Sequence, residues 1–333
     1  VAPGTGTFTV AYESRAFASH AACVAGTAPT STRVAFTSAE LPGLPQQLSL
    51  TANPVAASAP VLVSTIDDGG TPGDAADDVT RYFVAYLATL VDGNARVEVQ
   101  TFTQAGPTSF SNATVRYQSP EFEPVSSLSG ITTPTLRISS APDLALLADG
   151  RLALAWTQQA GARTSVVYTS VAPDGSGALE PISVADPSAE GADQFLPAVA
   201  ATGDRADVTF LDRRQDGSHY TPWQASFRGA VRGQDVQLDE TQLQGTDFHP
   251  AAGGYETPGT RIDALSLGAG GTYDWVGATA PSGPGLAYWT ATTPTRRGDI
   301  REAAVLHGKT APVLATGPVT TAKNVPRDIP TLL

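Results

Sequence analysis

The chain has 333 residues, 41% of them hydrophobic and 16% charged, with a net charge of −12 and an isoelectric point near 4.7. That is enough apolar material to bury a large core, which excludes a disordered chain, and no apolar run approaches the ~20 residues of a membrane helix. The acidic balance excludes nucleic acid as an expected partner, because phosphate binding needs a basic surface.

Met is absent, Lys is confined to Lys309 and Lys323, and the chain opens on Val1. This composition reads as a bacterial protein from which a leader has been removed, so a secreted, periplasmic or cell-surface location is expected. Cys23 stands alone and cannot form an internal disulfide. It is expected to be an inert small hydrophobe, since His20 beside it does not complete a zinc site.

From the N terminus onward, period-2 runs rich in Val, Tyr, Thr and Phe predict strands, and helical periodicity is scarce. GTFTVAYESRAF and TRVAFTSAEL come first, separated by the loop SRAFASHAACVAG. A unit of three runs then starts at Pro60: PVLVSTIDD, RYFVAYLATL and ARVEVQTFT. Comparable units start at Pro142 (PDLALLADGRLALAWTQQAGARTSVVYTSVAPDG), at Pro197 (PAVAAT, RADVTFLDRR, HYTPWQASFRG) and at Arg261 (RIDALSLGAGGTYDWVGATAPSGPGLAYWTAT). Asp-Gly turn signals such as VDGN, ADGR and PDGSG join the runs. The chain ends in IPTLL, a first strand with nothing after it, whereas its beginning supplies later strands with no first.

A unit repeated in this way, split across the two termini, predicts one all-β domain: a β-propeller of five four-stranded antiparallel blades. The closure blade would join residues 1–52 to 329–333, with the others near 59–130, 140–190, 195–245 and 260–325. The long interval between Pro60 and Pro142 leaves a six-bladed propeller as the alternative. Trp156, Trp223, Trp275 and Trp289 fall in second or third strands and are expected to pack between blades.

LPAVAATGDRADVTFLDRRQDG and DLALLADGRLALAW, followed by SVVYTSVAPDG, resemble the blade grammar of the sialidase-like (BNR, Asp-box-related) propeller superfamily. The Asp-box itself, Ser-x-Asp-x-Gly-x-Thr-Trp, is degenerate here: Ser170 precedes Asp174-Gly175 at a different spacing and without Trp. The resemblance implies the propeller fold. It also implies two functional readings, because secreted bacterial members are often non-catalytic, whereas glycosidases of the arabinanase and fructosidase type set three carboxylates around the central cavity.

In such a fold, the loops entering a blade and those between its second and third strands share one end. That end collects Asp193, Asp212, Arg213, Arg214, His219, Asp247, His249, Tyr255, Glu256, Arg261, Arg327 and Asp328. Asp212, Arg213, Arg214, His219, Asp247, His249, Tyr255 and Arg261 are the expected ligand-binding set. Arg213 or Arg214 would grip a carboxylate or sulfate, or else pair with Asp212 to tie neighbouring blades. Glu256, Asp193 and Asp328 are the expected catalytic carboxylates if the chain is an enzyme, because a glycosidase needs two carboxyls at a set separation. At the other end IDDGGTPGDAADD carries Asp67, Asp68, Asp74, Asp77 and Asp78, hard oxygen ligands of the kind Ca²⁺ takes, though without an EF-hand spacing. The expected function is a glycan- or protein-binding scaffold module of the cell envelope. A sialidase-like or arabinanase-like glycoside hydrolase is the alternative.

Overall fold

The computed structural model describes residues 2–3, 8–24, 29–38, 46–47, 54–67, 78–106, 109–125, 140–187, 192–214, 219–237, 243–244, 273–276, 285–292 and 298–305. They form an all-β protein of four sheets. The first sheet holds β1 (Ala2–Pro3), β2 (Phe8–Ala16), β3 (Ser31–Ser38), β4 (Gln46–Gln47), β5 (Pro54–Asp67), β6 (Val79–Leu90), β7 (Ala95–Gly106), β8 (Ser109–Phe110) and β9 (Thr114–Gln118). The second is β10 (Asp143–Leu146), β11 (Leu152–Ala160), β12 (Arg163–Val171) and β13 (Ile182–Ser183). The third comprises β14 (Gln194–Thr202), β15 (Arg205–Asp212), β16 (His219–Arg228), β17 (Val231–Arg232), β18 (Val236–Gln237) and β19 (Leu243–Gln244). The fourth is β20 (Tyr273–Val276), β21 (Gly285–Thr292) and β22 (Gly298–Val305). Among the described residues no helix is long and apolar enough to cross a membrane. A single short helix, α1 (His20–Val24), sits in the β2–β3 connection, which the sequence had suggested was loop.

Among the described residues, alternation on the strands places opposite faces of β6 and of β11–β12 in different cores. On β6 the residues Tyr82, Val84, Tyr86 and Ala88 join Val34 and Phe36 of β3 in one cluster. Phe83, Ala85 and Leu87, on the opposite face, join Leu152, Leu154 and Trp156 of β11 in another. A strand packed on both faces has no solvent side, so its polar positions vanish. The same logic carries β11 and β12 into a third cluster with Val208, Phe210 and Phe227 of the third sheet. Trp156 packs between sheets as expected, its ring 6.0 Å from that of Phe122.

The sheets therefore stack face on face in chain order. Neighbouring sheets meet through β5, β10, β14 and β20: β5 lies against β10, β10 against β14, and β14 against β20. The N-terminal strands are joined to the rest of the first sheet by a single parallel partnership of β3 with β5, Thr32 with Ala56, which links them into one nine-stranded sheet. β1 covers only the start of β2. The expected partner of β2, residues 329–333, lies outside the described residues.

Two sequence signals have clear physical causes. At Asp92-Gly93, Asp149-Gly150 and Asp174-Gly175 the glycine has positive φ (92°, 81° and 90°). Each aspartate accepts the N–H two residues on, at 3.0, 3.0 and 2.8 Å, which closes the hairpin turn. The prolines at Pro60 and Pro197 mark a β-bulge in a first strand. Ala59 and Leu196, just before them, adopt φ of 50° and 53°, and the pairing register shifts there. A non-glycine residue at positive φ before proline stores strain, so the surrounding sheet must hold it.

Candidate functional site

Three connections meet at one end of the second and third sheets. Asp193, the residue before β14, accepts the Thr164 N–H from the start of β12 at 3.0 Å. Its carbonyl accepts the Arg213 N–H from the end of β15 at 3.2 Å, and Arg213 Nη1 reaches its carboxylate at 3.4 Å. Gln194 adds two links to the second sheet: its N–H donates to Thr164 Oγ1 at 3.2 Å, and its side-chain oxygen accepts the Val166 N–H at 3.4 Å. At the opposite end the β10–β11 and β14–β15 turns are joined by the Ala148 N–H on the Gly203 carbonyl, at 2.8 Å. The loop sorting expected from the repeat therefore describes this pair of sheets.

Arg213 and Arg214 have different surroundings. Arg214 binds Asp212 twice, Nε at 3.0 Å and Nη2 at 2.7 Å, while its own N–H donates to Asp212 Oδ1 at 2.7 Å. Its Nη1 donates to Asp235, and its guanidinium lies 4.1 Å over the Trp223 ring. Asp235 also accepts the Asp186 N–H at 2.8 Å and pairs with Arg232, whose Nε donates to the Val184 carbonyl at 2.7 Å. This cluster ties the third sheet to the segment after β13 of the second. The Asp212 side chain is 0% exposed, and its carboxyl is pushed up by burial against the opposing pull of Arg214. Gripping an external anion would take Arg214 from two buried carboxylates, a loss of about 3–5 kcal/mol for a broken buried pair. Arg214 is therefore a clamp between sheets.

The Asp193–Arg213 pair is nearly buried too, both side chains being 10% exposed, but it stands just before β14, where the second and third sheets meet. Of the other expected residues, His219 begins β16. Asp247, His249, Tyr255, Glu256, Arg261, Arg327 and Asp328 lie outside the described residues. In the acidic loop, Asp67 ends β5 and pairs with Arg81, and Asp78 is exposed. Asp68, Asp74 and Asp77 lie outside the described residues. Among the described residues no cluster of three metal-ligating side chains occurs.

Sequence reasoning missed several polar groups. Glu98 is fully buried on β7, where it accepts Tyr86 Oη at 2.6 Å, Arg96 Nε at 2.7 Å and Gln118 Nε2 at 3.0 Å. Burial first, then the Glu98 charge, pushes the Tyr86 phenol far up. Asp207 on β15 is bound in the same manner by Arg205 at 2.9 and 3.0 Å, by Gln224 at 2.8 Å and by Ser226. The Arg-x-Glu and Arg-x-Asp spacing, two residues on one face of a strand, was the available signal. Asp143, the first residue of β10, accepts the Val199 N–H of β14 at 2.6 Å.

No protein-family model matches the sequence, and no curated protein matches it either. Among solved structures, the chain is similar to the α-L-arabinofuranosidase Arb93A of Fusarium graminearum, at 9% identity and a TM-score of 0.44, over 82% of this chain and 69% of that one. An exo-1,5-α-L-arabinanase from a bovine ruminal metagenomic library matches at 9% identity and a TM-score of 0.40, over 95% and 94%. A Penicillium chrysogenum α-L-arabinanase complexed with arabinobiose matches at 11% identity and 0.32, over 66% and 60%. At such identities the function must come from the site's own residues.

Proposed function

We propose that the chain is a single β-propeller domain, five-bladed and closed by residues 329–333 on β2, that acts as a glycoside hydrolase. Support for the propeller comes from the succession of sheet contacts through β5, β10, β14 and β20. The observation that carries the activity is Asp193. It is a nearly buried carboxylate just before β14, fixed by a backbone amide and a guanidinium. A carboxylate held in one orientation can take or give a proton at a glycosidic centre, the work this chemistry divides between two carboxyls. Glu256 and Asp328 are the proposed partners from the same end, and Arg213 positions Asp193. The net charge of −12 suits an extracellular setting.

The binding module is the second reading, favoured by the internal pairing of Arg214 with Asp212 and Asp235, which takes these expected site residues out of any reaction. Incubation of the purified protein with a panel of aryl glycosides and plant and microbial polysaccharides separates the two. Hydrolysis products that fall at least about 100-fold in Asp193→Asn, with the fold intact, support the hydrolase. Retention of a glycan without turnover gives the function to the binding module.

A further inference from the structure

We propose that the third sheet encloses an ordered water molecule between Thr209 and Gln224, on the face turned away from the second sheet. Val208 and Phe210 of β15, with Ala225 and Phe227 of β16, point into the core shared with the second sheet. The residues that alternate with them, Asp207 and Thr209 on β15 and Gln224 and Ser226 on β16, take the opposite face. Register sets Thr209 across from Gln224 and Asp207 across from Ser226. On the other flank of β15 their partners are Ala198 and Ala200 of β14, whose short side chains leave space above the strand. β20 lies against both β14 and β15. The row is closed off from solvent: Asp207 and Thr209 are 0% exposed and Gln224 3%.

Two polar atoms in this row, Thr209 Oγ1 and Gln224 Oε1, are buried without a hydrogen-bond partner. Turning the Gln224 amide over does not help. Its Nε2 donates to Asp207 Oδ1 at 2.8 Å and to Ser226 Oγ at 3.2 Å, and Ser226 in turn donates its hydroxyl proton to Asp207. The flipped amide would set its oxygen against the carboxylate oxygen. Directly opposed Cβ atoms lie about 4.5–5.5 Å apart, a span that one molecule making two hydrogen bonds of about 2.8 Å covers. That molecule must donate to the amide oxygen and either donate to or accept from the hydroxyl. Buried polar groups rarely stay unsatisfied, and water is the smallest molecule that meets both demands. A cation fits the row poorly, because its one carboxylate is already held by Arg205 Nε and Nη2 at 3.0 and 2.9 Å. A second positive charge would stand near that guanidinium without a second carboxylate to balance it. The water extends the chain from Arg205 through Asp207 and Gln224 to Thr209, and so ties β15 to β16 through side chains as well as backbone.

Thr209→Val tests this, because it keeps the shape of the side chain and removes only the hydroxyl. A hydroxyl bonded to water makes the change costly, and the melting temperature should fall by about 1–4 °C. A dry, unpaired hydroxyl makes the same change favourable, so a rise in melting temperature, or none, overturns the proposal. High-resolution diffraction from crystals of the intact protein supplies the direct readout. One oxygen peak within about 3.2 Å of both Thr209 Oγ1 and Gln224 Oε1 is expected in the wild type and is lost in Thr209→Val. A peak with several oxygen contacts at about 2.3–2.6 Å identifies a cation. That result, or a direct bond between the two side chains, overturns the water assignment.

Discussion

Gly175 offers a sharp test of how the first and second sheets meet. Its φ is +90°, and a Cβ built there would lie 2.0 Å from the carbonyl oxygen of Arg116 on β9. That neighbour is backbone within a strand, so it cannot swing aside as a side chain would. Two penalties add in Gly175→Ala: holding a non-glycine residue at this φ costs about 1–3 kcal/mol. Forcing the β12–β13 turn away from β9 costs roughly another 1–3 kcal/mol of overpacking. With an unfolding entropy of about 2.1 cal/mol/K per residue, a chain of 333 residues shifts by about 1.4 °C per kcal/mol, so the melting temperature should fall by about 3–8 °C. Gly203→Ala is the control, since that glycine also has positive φ, +61°, but nothing lies within 4 Å of its added Cβ. It should lose only the conformational share, about 1 kcal/mol. Calorimetry of both variants beside the wild type reads the difference. Equal losses in the two would refute the close approach of β9 to the second sheet.

Arg214→Met should destabilise by about 3–5 kcal/mol in urea unfolding, because it leaves Asp212 and Asp235 buried without their shared guanidinium; a loss under about 1 kcal/mol would contradict the clamp. Asp207 has its carboxyl raised above the ordinary 3.8, burial being the main cause. The folded state then binds the proton more tightly than the unfolded one, so this contribution is complete below 3.8 and is lost as pH rises through the raised value. The wild type should therefore gain stability relative to Asp207→Asn on acidification toward 3.8. A relative loss on acidification would mean that the Arg205 pairing outweighs burial.

How far the fold could be read from sequence depended on whether a signal was local. Asp-Gly turns and strand periods are set by neighbours within a few residues, so VDGN, ADGR and PDGSG were legible and match observed turns. The prolines at 60 and 197 were legible as repeat marks, but the positive φ of Ala59 and Leu196 before them was not, because that bulge is imposed by the paired strand. The clamp was half visible. Asp212 and Arg214 are two residues apart in sequence, whereas Asp235 reaches Arg214 from further along the third sheet and Asp186 joins Asp235 only when the second sheet docks. Glu98 sits in a run whose alternation suggests a solvent face, yet it is fully buried, held by Tyr86, Arg96 and Gln118. Asp143 was hidden because PDLALL reads as an apolar inner strand.

Hydrolysis in ¹⁸O-labelled water, with mass spectrometry of the released sugars, measures the proposed activity without assuming which glycoside is preferred. A hydrolase operating through Asp193 places one ¹⁸O per cleavage, on the anomeric carbon of the released glycone, while the leaving product keeps its original oxygen; Asp193→Asn abolishes the label while the protein stays folded. Glycans recovered intact and unlabelled after incubation with the wild type would contradict the assignment of Asp193 to hydrolytic chemistry.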